Sequence, residues 1–233
     1  MDRRTILLLA LAALALVSPA QMHAWQLVDA SLSEVRVPAG IQPVVTAMSA
    51  DFDDDGKAET LALADGRAAI QSEDQVLWHS PQAWQVRQAL IADLNQDGLP
   101  EAVLLLWRPF QPWPVDAWLP RGGRIDSFHD SSGSSCYIIL IGWHKGSFRE
   151  RWAGSALAEP VQRLAVADLT GSGEQFLVTL EAQYDDLPSI PARYLKVWEW
   201  NGFGFSLVST IEGPFSQMAI ARADDGPILI LVP

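Results

Sequence analysis

Two stretches 42 residues apart carry the same spacing of oxygen-bearing side chains, and that spacing leaves few folds open. A-D-F-D-D-D-G-K-A-E sets Asp51, Asp53 and Asp55 at positions 1, 3 and 5 of a tight loop, Gly56 at position 6 and Glu59 at position 9. The second copy, A-D-L-N-Q-D-G-L-P-E, puts Asp93, Asn95, Asp97, Gly98 and Glu101 in the same places. Alternate residues of a turning loop send their oxygens inward, and the position-7 carbonyl, of Lys57 or Leu99, adds a backbone oxygen. The result is the flexible all-oxygen cage that suits Ca²⁺. An acidic turn without metal is the plainer alternative, but Asp51, Asp53, Asp54 and Asp55 repel one another unless a cation sits among them.

An EF-hand needs a glutamate at position 12 and a helix after the loop. Position 12 is Ala62 in one copy and Leu104 in the other, and the continuations E-T-L-A-L-A and E-A-V-L-L-L-W are short apolar runs that read as strands. The same objection disfavours a dockerin-like unit. Each loop therefore joins two strands.

Aligning on the loops exposes an internal repeat. A third copy keeps Asp168, Thr170, Ser172 and Gly173 but has Phe176 at position 9, and a fourth keeps only Asp225 and Gly226, with Ala221 and Ala223 at positions 1 and 3. Loop starts are separated by 42, 75 and 53 residues, and the long interval falls to 46 once an insertion at 107–135 is set aside. Each unit reads as four strands. In the first these are V-V-T-A-M-S-A, T-L-A-L-A, R-A-A-I-Q and V-L-W-H, with turns at Asp65-Gly66 and Glu73-Asp74. Trp143 and Phe148 match Trp200 and Phe205 at the same separation across a glycine turn.

Four-stranded units at this period predict an all-β fold, a β-propeller of four blades. The last unit has only two strands before the chain ends, and 25–28 with 32–37 can complete it beside 218–221 and 228–232. That closure pairs N- and C-terminal strands and removes open edges. The A-D-x-[DN]-x-D-G-x-x-E loops flanked by strands at blade spacing resemble the FG-GAP or VCBS repeats of calcium-loop β-propellers such as integrin α-subunit heads. The resemblance covers residues 25–233 as one domain. It implies calcium as a structural ion at two sites, and it reports fold far better than function; members commonly have about seven blades where this chain closes with four.

Residues 1–24 read as an export signal: Arg3 and Arg4 precede an apolar run at 6–17, then Ser18-Pro19-Ala20, with cleavage after Ala20 or Ala24. The run is short for a membrane span, so the expected location is secreted or at the cell surface, without membrane insertion after cleavage; an uncleaved anchor is the lesser alternative. The formal charge is −12, and no basic block is present, so nucleic acid and anionic lipid are poor partners. Cys136, the single cysteine, has no internal partner and is expected to be buried at the start of a strand.

In a propeller blade the connections between strands one and two and between three and four share a face, and those between two and three emerge on the other. The second face receives the insertion, with Trp107, Phe110, Trp113, Trp118 and Phe128, and the 181–192 segment, with Tyr184, Asp185 and Asp186. Long loops on one face of a repeat scaffold suit recognition, and Trp107, Trp113, Trp118 and Tyr184 are the candidate contacts for a protein or glycan ligand. The alternative is that these rings plug the face. Trp78, Trp152, Trp198 and Trp200, on strands, are expected to pack blade against blade. His129 beside Asp126 and Asp130 is the one histidine on that face, but no nucleophile elbow, zinc motif or phosphate loop accompanies it. The expectation is a monomeric, non-catalytic recognition or adhesion module, with a carbohydrate-binding module or, behind it, an extracytoplasmic hydrolase as alternatives.

Overall fold

Short apolar runs alternating with glycine turns give seventeen strands and no helix among the described residues. A computed structural model describes residues 22–73, 75–111, 128–186, 191–224 and 226–233. The chain opens with the hairpin β1 (His23–Val28) and β2 (Ser31–Val35), followed by β3 (Ile41–Pro43). The first blade is β4 (Ser49–Ala50), β5 (Glu59–Ala64), β6 (Arg67–Ser72) and β7 (Gln75–His79). The second is β8 (Gln85–Ala92), β9 (Glu101–Pro109), β10 (Ser134–His144) and β11 (Ser147–Ala153). The third is β12 (Val161–Ala167), β13 (Phe176–Glu181), β14 (Ala192–Trp200) and β15 (Phe205–Phe215), and β16 (Ala219–Ala223) and β17 (Ile228–Val232) begin the fourth.

The fourth sheet runs β2-β1-β17-β16-β3, so the N-terminal hairpin supplies the outer half of the last blade and the propeller closes on four blades. Register fixes the seam: His23, Ala24 and Trp25 pair with Val232, Leu231 and Ile230, while Ile220 faces Ile230 from the other side. Two-residue turns match the strand twist because both central residues take positive φ, as at Asp65-Gly66 and Lys145-Gly146.

The first blade departs from expectation. Its inner strand was expected over 44–50 but comprises only Ser49–Ala50. The reason lies in the degenerate fourth loop, where Ala221 and Ala223 replace ligand positions and join a small apolar cluster with Leu229, Leu231 and Ala24, against which Val35, Val37 and Ile41 pack. β3 pairs there, Ala221 with Pro43 and Ala223 with Ile41, and Val44 N–H still donates to Ile220 O at 2.8 Å. Held by the fourth blade through Val44, the chain has only a few residues in which to cross to β5. Val44, Val45 and Met48 are left exposed on that crossing.

Cores fill the gaps between neighbouring blades. Leu104, Leu106, Ile139 and Ile141 face the first blade, and Leu105, Ile138 and Leu140 from the same two strands face the third, which is why β9 and β10 read as unbroken apolar runs. Trp78 packs on the first of these cores and Trp152, Trp198 and Trp200 on the second, with Trp152 and Trp200 edge to face at 6.0 Å. Trp143–Phe148 and Trp200–Phe205 form the matched ring pairs, at 5.1 and 5.3 Å. Cys136 is a free, buried thiol near the start of β10, and burial pushes its pKa up to about 12. No helix among the described residues is long and apolar enough to cross a membrane.

Candidate metal centres

Three strand-joining loops repeat one hydrogen-bond pattern. In the first, the amides of Asp55 and Gly56 donate to the two oxygens of Asp51 at 3.1 and 2.8 Å, and Lys57 N–H donates to Asp55 Oδ1 at 2.8 Å. In the second, Asp97 and Gly98 donate to Asp93 at 3.1 and 3.0 Å, and Leu99 donates to Asp97 Oδ1 at 3.1 Å. In the third, Ser172 and Gly173 donate to Asp168 at 3.1 and 2.9 Å, and Glu174 N–H reaches Ser172 Oγ. Positions 4 and 6 take positive φ each time: Asp54 and Gly56, Gln96 and Gly98, Gly171 and Gly173. The glycine at position 6 is therefore required by backbone conformation, while the space around it is open in all three loops.

The loops diverge at position 9. Glu59 and Glu101 are 2% and 1% exposed, and each accepts the amide of the residue at position 2, Phe52 at 3.0 Å and Leu94 at 3.3 Å. The third loop has Phe176 there, turned into an apolar core. Oxygens of Asp51, Asp53 and Glu59 lie within 4.8 Å of one another, as do those of Asp93, Asp97 and Glu101, so each set could hold one cation. Asp55 is not one of the first three, whereas its counterpart Asp97 belongs to the second set. The clustered donors fit a hard divalent ion: all are carboxylate oxygens, with no sulfur or imidazole among them.

Electrostatics at the second loop show what crowding carboxylates entails. Burial raises the Glu101 pKa, with further contributions from Asp97 and Asp93, to about 8. Asn95 turns its amide nitrogen to Glu101 and to Asp97, placing a donor between two acids. At the third loop burial works against the Asp168 charge, but amides from Gly173, Gly171, Thr170 and Ser172 outweigh it and hold its pKa below the usual range. That loop needs no cation to satisfy its single aspartate.

Sequence reasoning missed the anchors beneath these loops. Position 2 is Phe52, Leu94 or Leu169, and all three side chains are buried. Phe52 meets Phe148 of the second blade edge to face at 5.7 Å, so the first loop is tied to its neighbouring blade. The signal was present as an apolar residue directly after the first aspartate, but an alternating loop gives no reason to expect one inward hydrophobe.

On the opposite face the structure joins two of the four aromatic candidates. β9 runs through Pro109 and β10 starts at Ser134, so the connection spans 110–133 and Trp107 is a strand residue, 9% exposed. Its ring meets Tyr184 edge to face at 5.7 Å, and the Arg87 guanidinium lies 4.3 Å from its centroid. Tyr184 donates its hydroxyl to Leu157 O at 2.7 Å and accepts the Cys136 amide at 3.2 Å. These two residues belong to the packed seam between second and third blades. Trp113 and Trp118 lie outside the described residues. His129 packs on Phe110 at 5.6 Å, with Nδ1 2.8 Å from the Asp130 carbonyl. A cavity of about 1970 Å³ opens beside the inner strands, with Gln88, Leu90, Leu164, Val166 and Ile220 among its walls and the Val44–Val45 crossing along one side.

No family model matches the chain, and no curated protein or solved structure is significantly similar to it.

Proposed function

We propose that this propeller is an extracytoplasmic recognition module whose first two loops bind calcium as structural staples and whose opposite face binds a protein or glycan without turnover. The observation that carries the calcium part is the pair of three-carboxylate clusters, each closed by a glutamate at least 98% buried. A buried acid among two others is costly unless compensated, and one divalent ion offsets most of the charge of the three. Asp51, Asp53 and Glu59 would hold the first ion, with Asp55 and the Lys57 carbonyl as further donors. Asp93, Asn95, Asp97, Glu101 and the Leu99 carbonyl would hold the second. The ion would supply charge neutralisation and a cross-link from the strand entering the loop to the strand leaving it.

Export fits the seam. Ala24 is fully buried where β1 pairs with β17, so a leader removed after Ala20 leaves the closing strand whole, whereas removal after Ala24 would cut into it.

Recognition is assigned to the 110–133 connection because Trp107 and Tyr184 are spent on the seam below it, leaving Trp113 and Trp118 as the aromatic anchors of that loop. Alanine at both positions is expected to abolish capture of the partner from the producing cell's envelope in a variant that still unfolds cooperatively. Undiminished capture by the folded double variant sinks the aromatic-face assignment. A glycan ligand would show as saturable quenching of tryptophan fluorescence by soluble oligosaccharide, and turnover lost on His129→Ala would favour a hydrolase instead.

A further inference from the structure

The outer strands of three blades share a feature invisible in the sequence. Each pairs with its neighbour through a register shift that leaves one extra residue, between Val76 and Trp78 in the first blade, Glu150 and Trp152 in the second, and Leu207 and Ser209 in the third. The bulged residues are Leu77, Arg151 and Val208. A bulge re-aims the side chain it carries. In the second blade it sends Arg151 to the acidic loop: Nη2 lies 2.8 Å from Asp97 Oδ2, and Nη1 donates to His144 Nδ1 at 2.5 Å. Gly142 clears the path. A Cβ there would stand 2.9 Å from Arg151 Cγ and 3.2 Å from Glu101 Cγ, so the arginine stem and the buried glutamate border the same space.

We propose that Arg151 is a positioning residue that sets the calcium affinity of the second loop, acting as a resident counter-charge so that the two loops fill at different calcium concentrations. This rests on the calcium reading of both loops. The first loop has four carboxylates and leucine at the bulge; the second has three and a guanidinium on one of them. Both differences weaken the second site, since ligand charge raises affinity and a fixed cation repels an incoming divalent ion. Without calcium the arginine partly neutralises Asp97 and keeps the second loop formed, whereas the first loop has no such substitute from its own outer strand.

Calcium titration of the full mature chain by calorimetry, with magnesium in the buffer, is expected to show a tighter and a weaker step, the weaker one lost in Asp93→Asn. Arg151→Leu, which installs the first blade's residue, and Arg151→Gln, a neutral polar replacement that guards against misfolding, should each tighten the weaker step about tenfold, the order expected for removing a unit charge beside a divalent ion in largely aqueous surroundings. Arg151→Lys should restore the parent value to within about threefold, because it keeps the charge. Arg149→Leu removes an equal charge from the same strand away from the loop and should shift the step less than about twofold. Two steps in the parent that Arg151→Leu and Arg151→Gln leave unmoved or weaken overturn this inference alone. A parent chain that takes up no calcium overturns the calcium reading and this inference with it.

Discussion

Ile230→Ala is expected to lower the unfolding free energy by about 3 kcal/mol, the middle of the range for removing a fully buried isoleucine side chain beyond Cβ. Ile230 sits at the centre of the terminal seam, paired with Trp25 of β1 on one side and Ile220 of β16 on the other, and its side chain is fully buried. The size of the loss reports directly on closure. Were the N-terminal hairpin not docked, β17 would be an edge strand with one neighbour, and the same substitution would cost well under about 1 kcal/mol, as partly exposed sites do. Denaturant unfolding followed by tryptophan fluorescence measures it, since tryptophans are spread over the blades and report global unfolding. A small loss argues that the last blade is open.

The second large effect is electrostatic. Lys196 on β14 reaches Glu181 Oε2 at 2.8 Å and also the Glu159 carboxylate, and Glu181 takes further hydrogen bonds from Thr179 Oγ1 and Trp198 Nε1. Burial alone opposes the lysine charge, and the two carboxylates outweigh it, so its pKa stands above the ordinary value. Lys196→Met is expected to destabilise the fold by about 3 kcal/mol, because breaking a buried pair leaves Glu181 charged and uncompensated. The double variant Lys196→Met, Glu181→Gln should recover part of that loss, since the stranded charge is gone. Arg193→Ala, which breaks a pair with Asp186 whose guanidinium stands half in solvent, should cost less, about 1 kcal/mol. Equal losses for Lys196→Met and Arg193→Ala would contradict the picture of a desolvated ion cluster at the third blade.

Blade number, strand order and terminal closure were legible because the loops act as markers: once Asp51, Asp93 and Asp168 are aligned, the strand leaving each loop begins at the same offset, at Glu59, Glu101 and Phe176. The loops' own geometry was legible for the same reason, since the aspartate at position 1 collects the amides of positions 5 and 6 and the glycine at position 6 takes positive φ in all three. What escaped were features set by register and by contacts between units. The β3 addition depends on Ala221 and Ala223 offering a small apolar ledge, and a degenerate loop reads only as lost function until its neighbours are known. Trp107 looked like a loop aromatic because the apolar run of β9 ends in Trp-Arg-Pro-Phe, where strand and loop are indistinguishable by periodicity. Arg151 was invisible because a bulge adds one residue and reverses which face the side chain takes. The aromatic stretch that carries the recognition proposal, with Trp113 and Trp118, lies outside the described residues.

Thermal unfolding of residues 21–233 in millimolar calcium and again in excess chelator, with magnesium in both, tests the calcium-stapled propeller most directly. Each site at a hundredfold excess over its dissociation constant adds about 2.7 kcal/mol, and two independent sites add about twice that. For a chain of this length the expected rise in midpoint with calcium is roughly 10–20 °C, with Asp51→Asn removing the larger part because the first loop lacks the arginine that steadies the second. An unchanged midpoint would mean that the acidic clusters are satisfied without metal, and the four-bladed architecture would then rest on its blade cores and terminal seam alone.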